Sequence, residues 1–156
     1  MATQWTAGTT AGQVLTAATL NTIGAAYETW TPALTAATVN PTLGTGSTTV
    51  GRYGRINKTV YGDASFVFGT SGVAAGTGAY YISLPVTAQN ATPPIGIGWI
   101  LDASAGLLRH VVVQMDTTSR VALYLENTIT FGVGAANPWT WAASDQIRIN
   151  FQYEAA

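Results

Sequence analysis

The chain has 156 residues, no cysteine, only 8% charged residues and a formal net charge of −1. This charge is too weak for the counterion release on which nucleic-acid binding depends, and the lack of cysteine excludes disulfides and cysteine nucleophiles. Its longest apolar runs, such as Ile95–Leu101, are far shorter than the roughly 18 residues of a membrane-spanning helix. We therefore expect neither a nucleic acid nor a membrane as partner.

The first segment, residues 1–30, is polar but almost uncharged, because Glu28 is its only charged side chain. Four of its apolar residues recur at spacings of three, four and three, as one stripe of a helix would: Leu20, Ile23, Tyr27 and Trp30. A helix this short is marginal alone, so the stripe must pack on this domain, a sister chain or another protein. We predict an attachment arm over residues 1–30, whose partner-binding residues are Trp5, Val14, Leu15, Leu20, Ile23, Tyr27 and Trp30.

Residues 31–156 are predicted to form one β domain. The clearest strand is Asp145–Glu154, where Ile147, Ile149, Phe151 and Tyr153 alternate with polar residues, and Thr59–Phe68 alternates in the same way. In Thr59–Phe68 the predicted inner residues are Val60, Ala64, Phe66 and Phe68. Further predicted strands are Thr31–Val39, Tyr80–Val86, Ile95–Leu101, Leu107–Met115, Arg120–Glu126 and Ile129–Val133.

Turn-forming residues separate these segments and fix the predicted fold class. The glycine-rich stretch Gly69–Gly78 lacks the signature of a phosphate-binding loop and is interpreted as a flexible hairpin loop. Asp102, Asp116 and Asp145 lie beside turns, where Asx-turn hydrogen bonds favour aspartate. About eight short strands with regular turn signals predict an all-β fold, an antiparallel β-sandwich of jelly-roll type, with a short extended or helical N-terminal arm.

The sequence holds no pattern of catalytic or metal-binding residues. His110 is the only histidine and is interpreted as a packed or surface residue, and the seven carboxylates are scattered singly. We expect no enzymatic activity, no cofactor and no metal, with a carboxylate pair of a carbohydrate-active enzyme kept as a third alternative. Trp139 and Trp141 are predicted to share a strand face, where they either stack on a glycan or pack in a core or interface.

Two stretches resemble one family of proteins. Residues 12–21 read GQVLTAATLN and resemble the G-x-V-L-T-A-A-x-L-N opening of many tailed-bacteriophage virion proteins, which is often followed by Trp-Thr-Pro, as at Trp30–Pro32. Gly51–Tyr61, then Phe66–Gly69 and Ile82–Val86, resemble a β module of phage tail and head-surface proteins. Asn57 stands where that module has glycine, a change that a turn with positive φ tolerates.

The resemblance implies a non-enzymatic virion structural protein, a homotrimer whose N-terminal segment docks to the particle. The first interpretation is a viral head decoration protein on the capsid surface, bound to the major capsid protein or another virion protein. The alternative is a minor tail or receptor-binding protein that recognises a host-surface glycan.

Overall fold

The structure is a computed structural model that describes residues 27–91, 94–125 and 132–156. Within these ranges the chain forms nine β-strands and no helix. They are β1 (Glu28–Trp30), β2 (Leu34–Ala36), β3 (Thr48–Ile56), β4 (Thr59–Val67), β5 (Tyr80–Ser83), β6 (Pro94–Asp102), β7 (Leu107–Thr117), β8 (Arg120–Leu125) and β9 (Gln146–Glu154). A search of the described residues finds no helix long and apolar enough to cross a membrane.

All nine strands hydrogen-bond into one antiparallel sheet. Its strand order is β1-β3-β4-β9-β6-β7-β8-β5-β2. The predicted all-β antiparallel fold is therefore confirmed. The hydrogen bonds run through one continuous sheet, so the division into two packed sheets that a jelly-roll sandwich implies stays a prediction.

The sheet must curl, because its two edge strands are neighbours in the chain. Only residues 31–33 separate β1 from β2, which lie at opposite ends of the strand order. Four residue steps span at most about 14 Å. A flat sheet of nine strands would hold its edges about 38 Å apart. Curling brings the edges together and encloses the apolar side chains on the inner face.

Residues 34–82 form one long antiparallel hairpin. Its register is unchanged through four pairs, Leu34↔Ile82, Val39↔Thr77, Thr42↔Ala74 and Thr45↔Ser71, and shifts by one residue before Thr48↔Val67. The tip is Asn57-Lys58, and Asn57 has the predicted positive φ, 55°. The prediction that Gly69–Gly78 is a hairpin loop is therefore wrong, since this stretch is one leg of the long hairpin. Its backbone hydrogen-bonds to residues 38–45.

The inner face of the sheet carries the predicted apolar rows. All eight predicted inner residues of the two clearest segments are buried: Val60, Ala64, Phe66, Phe68, Ile147, Ile149, Phe151 and Tyr153. Phe151 lies between Gly62 on β4 and Gly96 on β6, its cross-strand partners. A Cβ atom at Gly62 would lie 2.8 Å from the Phe151 ring, so the ring needs glycine there.

Other strand predictions differ from the structure in instructive ways. Strand β3 was not among the predicted strands, although it has nine residues, because Gly51 and Gly54 interrupt its period of two. Thr31–Val39 contains only the short strand β2. The prediction that the helical stripe extends to Trp30 is wrong, since Glu28–Trp30 is a strand. Most of Ile129–Val133 lies outside the described residues.

Candidate functional site

Of the predicted arm residues, only Tyr27 and Trp30 lie in the described part of the chain. Trp30 packs inward, with its ring centroid 6.3 Å from that of Phe151, and its indole covers Gly51. Tyr27 is 56% exposed and packs edge-on against Tyr61 on the outer face, with ring centroids 5.6 Å apart. Trp30 is thus bound into the sheet, and the chain reaches the outer face at Tyr27. The residues Trp5, Val14, Leu15, Leu20 and Ile23 lie outside the described residues.

Trp141 belongs to the core. It is 3% exposed, its ring stacks on Phe68 at 5.1 Å, and its Nε1 donates a hydrogen bond of 2.9 Å to the carbonyl oxygen of Gly134. Trp139 is half-buried with its ring 5.7 Å from that of Trp141. Residues 138–142 are not a strand, so the prediction that these two rings share a strand face is wrong. Trp141 presents no open ring face to a glycan.

Each carboxylate in the described ranges serves a local contact. The contacts are Asp63 with Arg52 (3.0 Å), Asp116 with Arg120 (2.6 Å), Glu154 with Lys58 (4.0 Å) and Glu28 with the hydroxyl of Tyr53 (2.7 Å). Asp102 forms the predicted turn, accepting from the backbone N of Ser104 at 3.0 Å. Hydrogen bonds, chiefly from the Ser104 hydroxyl, hold the pKa of Asp102 below its ordinary value. In these ranges no three His, Cys, Asp or Glu side chains gather into a metal-binding group.

Asp145 is buried and joins two segments of backbone. Its Oδ1 accepts from the backbone N of Ala103, between β6 and β7, and its Oδ2 from that of Ala142, both at 2.9 Å. The carboxylate therefore fixes the end of the β6–β7 hairpin against the start of β9. The hydrogen bond from Ala103 to Asp145 joins residues much farther apart in the chain than the Asx-turn that the sequence predicts.

Buried tyrosines make the fold sensitive to alkaline pH. Burial raises the pKa of Tyr153 to about 12, and burial also raises the pKa of Tyr80. The folded state therefore holds these protons more tightly than the unfolded state, where tyrosine titrates near pH 10. We expect stability to be intact below about pH 10 and to fall as the pH rises toward 12. Urea midpoints measured from pH 8 to 12 test this.

The control for that series is Tyr153→Phe. It removes the hydroxyl that donates to the carbonyl oxygen of Val86 at 2.6 Å, which costs about 1 kcal/mol at neutral pH. Its urea midpoint should fall less steeply above pH 10 than that of the unsubstituted chain. Equal slopes for the two proteins would contradict the assignment of the pH dependence to Tyr153.

The outer face of β6 and β7 is largely apolar. Ile100 and Val111 point into the core, so their neighbours along each strand point outward. These outward residues form three cross-strand pairs, which we name the outer band: Ile97↔Val112, Trp99↔His110 and Leu101↔Leu108. Ile97 is 71% exposed and Leu108 47% exposed. The two exposed aliphatic residues lie at opposite ends of the outer band, with the pair Trp99↔His110 between them. Apolar side chains exposed on one face of a sheet form a candidate contact surface.

Polar side chains, one of them the cation Arg148, border the outer band on the neighbouring strand β9. Opposite Ile97, Trp99 and Leu101 lie Asn150, Arg148 and Gln146. The guanidinium of Arg148 lies over the Trp99 ring, 5.2 Å from its centroid. An apolar centre that lacks carboxylates and has a polar rim has the composition of a protein–protein interface.

No family model, curated protein or solved structure matches this chain. Function is therefore inferred from the surface chemistry of the sheet and from the resemblance carried by residues 12–86.

The sequence pattern already contained a sign of the outer band. Ile95–Leu101 and Leu107–Val113 have no regular polar positions, unlike Asp145–Glu154, where every second residue is polar. A strand without regular polar positions carries apolar residues on both of its faces. One face of β6 and β7 lines the core, so this pattern predicts apolar side chains on the other face as well.

A cavity of about 510 Å³ lies between the β5 end of the long hairpin and the segment after β8. Its walls are Ala75, Gly76, Thr77, Gly78, Ala79, Gly132, Gly134, Ala135, Ala136, Asn137 and Thr140. None of these side chains is titratable. These walls therefore offer apolar, backbone, hydroxyl and amide contacts but no acid or base.

Proposed function

We propose that this chain is a non-enzymatic structural protein of a tailed-bacteriophage particle. It decorates the capsid surface as a homotrimer and attaches through its N-terminal arm. The observation that carries the proposal is the outer band on a small β domain, a surface built for contact rather than for catalysis. The motifs in residues 12–86 supply the likeness to virion proteins.

The composition of the arm suits attachment by apolar burial. The first 27 residues contain no charged side chain, so their burial carries no cost for desolvating a charge. Trp5, Leu20 and Ile23 would each contribute roughly 1.5–3 kcal/mol when fully buried against a shell protein. Three arms on one trimer multiply modest single contacts into lasting attachment.

Loss of the arm should abolish attachment to particles. Substituting Leu20→Asp or Ile23→Asp in the full chain places a charge in the docking surface and should sharply reduce bound protein. Removal of residues 1–26 should have the same effect, while cooperative melting is retained because all nine described strands remain. The measurement is co-sedimentation of labelled protein with particles stripped of it, followed by electron microscopy of the bound protein.

Three outcomes contradict parts of this proposal. Normal decoration by the shortened chain would place attachment on the β domain, and loss of cooperative melting would make the arm part of the fold. Label found only at the tail tip, together with binding to a host glycan, would favour the minor tail or receptor-binding protein.

A further inference from the structure

The exposed part of the outer band favours a protein as its occupant. Ile97 and Leu108 are branched aliphatic side chains, which stabilise a contact by apolar burial and offer a sugar no ring on which to stack. The aromatic residue of the outer band, Trp99, has a ring face covered by Arg148. The outer band is therefore suited to a complementary apolar protein surface rather than to a glycan.

The few charges on and around the outer band favour a partner surface that is itself uncharged. The outer band contains no carboxylate and one histidine, His110. Arg148 on the neighbouring strand is already held over Trp99 and donates weakly to Gln146 at 3.4 Å. Every carboxylate in the described ranges is likewise engaged within its own chain, as shown above. A contact through this face therefore needs no ion pair across it.

The polar residues that border the outer band can hydrogen-bond to the same residues of a second copy. Gln146, Asn150 and Gln152 project from β9 on the side of the outer band, and Gln114 projects from β7. Each amide side chain both donates and accepts hydrogen bonds, so amides can bond to amides of a second copy. With 8% charged residues and a net charge of −1, two copies approach without strong repulsion. The neutral charge pattern thus matches a second copy of the same chain.

We propose that the outer band is the surface through which copies of this chain contact one another. The assignment rests on the homo-oligomer of the proposed function and identifies the strands, β6 and β7, that build it. It also separates two contacts, since the arm binds the shell while the outer band binds sister domains.

The test uses the full chain and a matched pair of exposed isoleucines. Ile97 is 71% exposed in the outer band, and Ile56 is 56% exposed at the end of β3, outside it. Sedimentation equilibrium from 1 to 100 µM should give about three times the chain mass of 16.2 kDa for the unsubstituted protein and for Ile56→Asp. Ile97→Asp and Leu108→Asp should raise the dissociation constant about thirtyfold or more, as at an interface hot spot.

Urea midpoints of all variants, measured at a concentration at which each is monomeric, keep misfolding distinct from dissociation. Both isoleucines are exposed in the single domain, so their substitution should change its stability little. An Ile97→Asp protein that still forms the oligomer would overturn the assignment, most directly if Ile56→Asp dissociates instead. If Ile97→Asp keeps the oligomer but loses particle attachment, the outer band faces the shell, so the assignment fails while the proposed function stands. A monomeric unsubstituted protein over this range would overturn the homotrimer and the assignment together.

Discussion

Replacing Trp141 with alanine should lower the free energy of unfolding by about 4 kcal/mol, as for other buried tryptophans. The indole fills the space between Phe68 and Tyr80, at centroid distances of 5.1 and 5.6 Å. Its removal leaves a cavity and also leaves the carbonyl oxygen of Gly134 without its indole donor. Urea unfolding followed by circular dichroism measures the loss.

The matched control is Trp141→Phe, which keeps most of the ring volume but not the hydrogen bond. Trp141→Phe should lower the free energy of unfolding about half as much as Trp141→Ala, because the stacking on Phe68 is largely retained. A cost below about 1 kcal/mol for Trp141→Ala would show that the ring is not part of the core. It would also reopen the interpretation of Trp139 and Trp141 as a glycan-binding pair.

Replacing Asp145 with alanine is expected to cost about 3 kcal/mol, the second largest loss. Two backbone N–H groups, those of Ala103 and Ala142, would lose a charged acceptor in a buried place. The hairpin end between β6 and β7 would then be released from the start of β9. The same urea series measures the change, and hydrogen exchange at residues 103 and 142 locates it.

Asp145→Asn provides the control, because its amide keeps one acceptor oxygen and turns a donor toward the second N–H. It should be more stable than Asp145→Ala in the same buffer and should protect only one of the two amides from exchange. If both amides in the alanine variant stayed as protected as in the unsubstituted chain, the role given to the carboxylate would be wrong.

The sequence predicts the parts of this fold that depend on local alternation. The rows Ile147–Tyr153 and Val60–Phe68 are found where the period of two places them, because one face of β9 and of β4 meets water. Strand β3 was missed because Gly51 on its inner face and Gly54 on its outer face are shaped by the rings that cover them, those of Trp30 and Tyr61. Pairing across the long hairpin joins residues far apart in the chain, which local patterns do not encode.

The candidate site was harder to predict than the fold for a similar reason. Trp139 and Trp141 have the composition of a binding platform, yet two contacts distant in sequence, with Phe68 and Tyr80, decide that Trp141 is covered. Conversely, Ile97 and Leu108 are ordinary strand residues until β9 and β7 are known to flank β6. Which face of an apolar strand remains open depends on strand order.

The short edge strands affect how the protein behaves at high concentration. A chain with 8% charged residues has little electrostatic repulsion to keep molecules apart, and long unpaired strands would then act as templates for fibril growth. In this sheet the two strands at the ends of the order, β1 and β2, have three residues each. Each edge strand offers a foreign strand only three residues of backbone, although β1 covers only Gly51–Tyr53 of the longer strand β3. Short edge strands thus limit the template on which a nearly neutral sheet could grow into an amyloid.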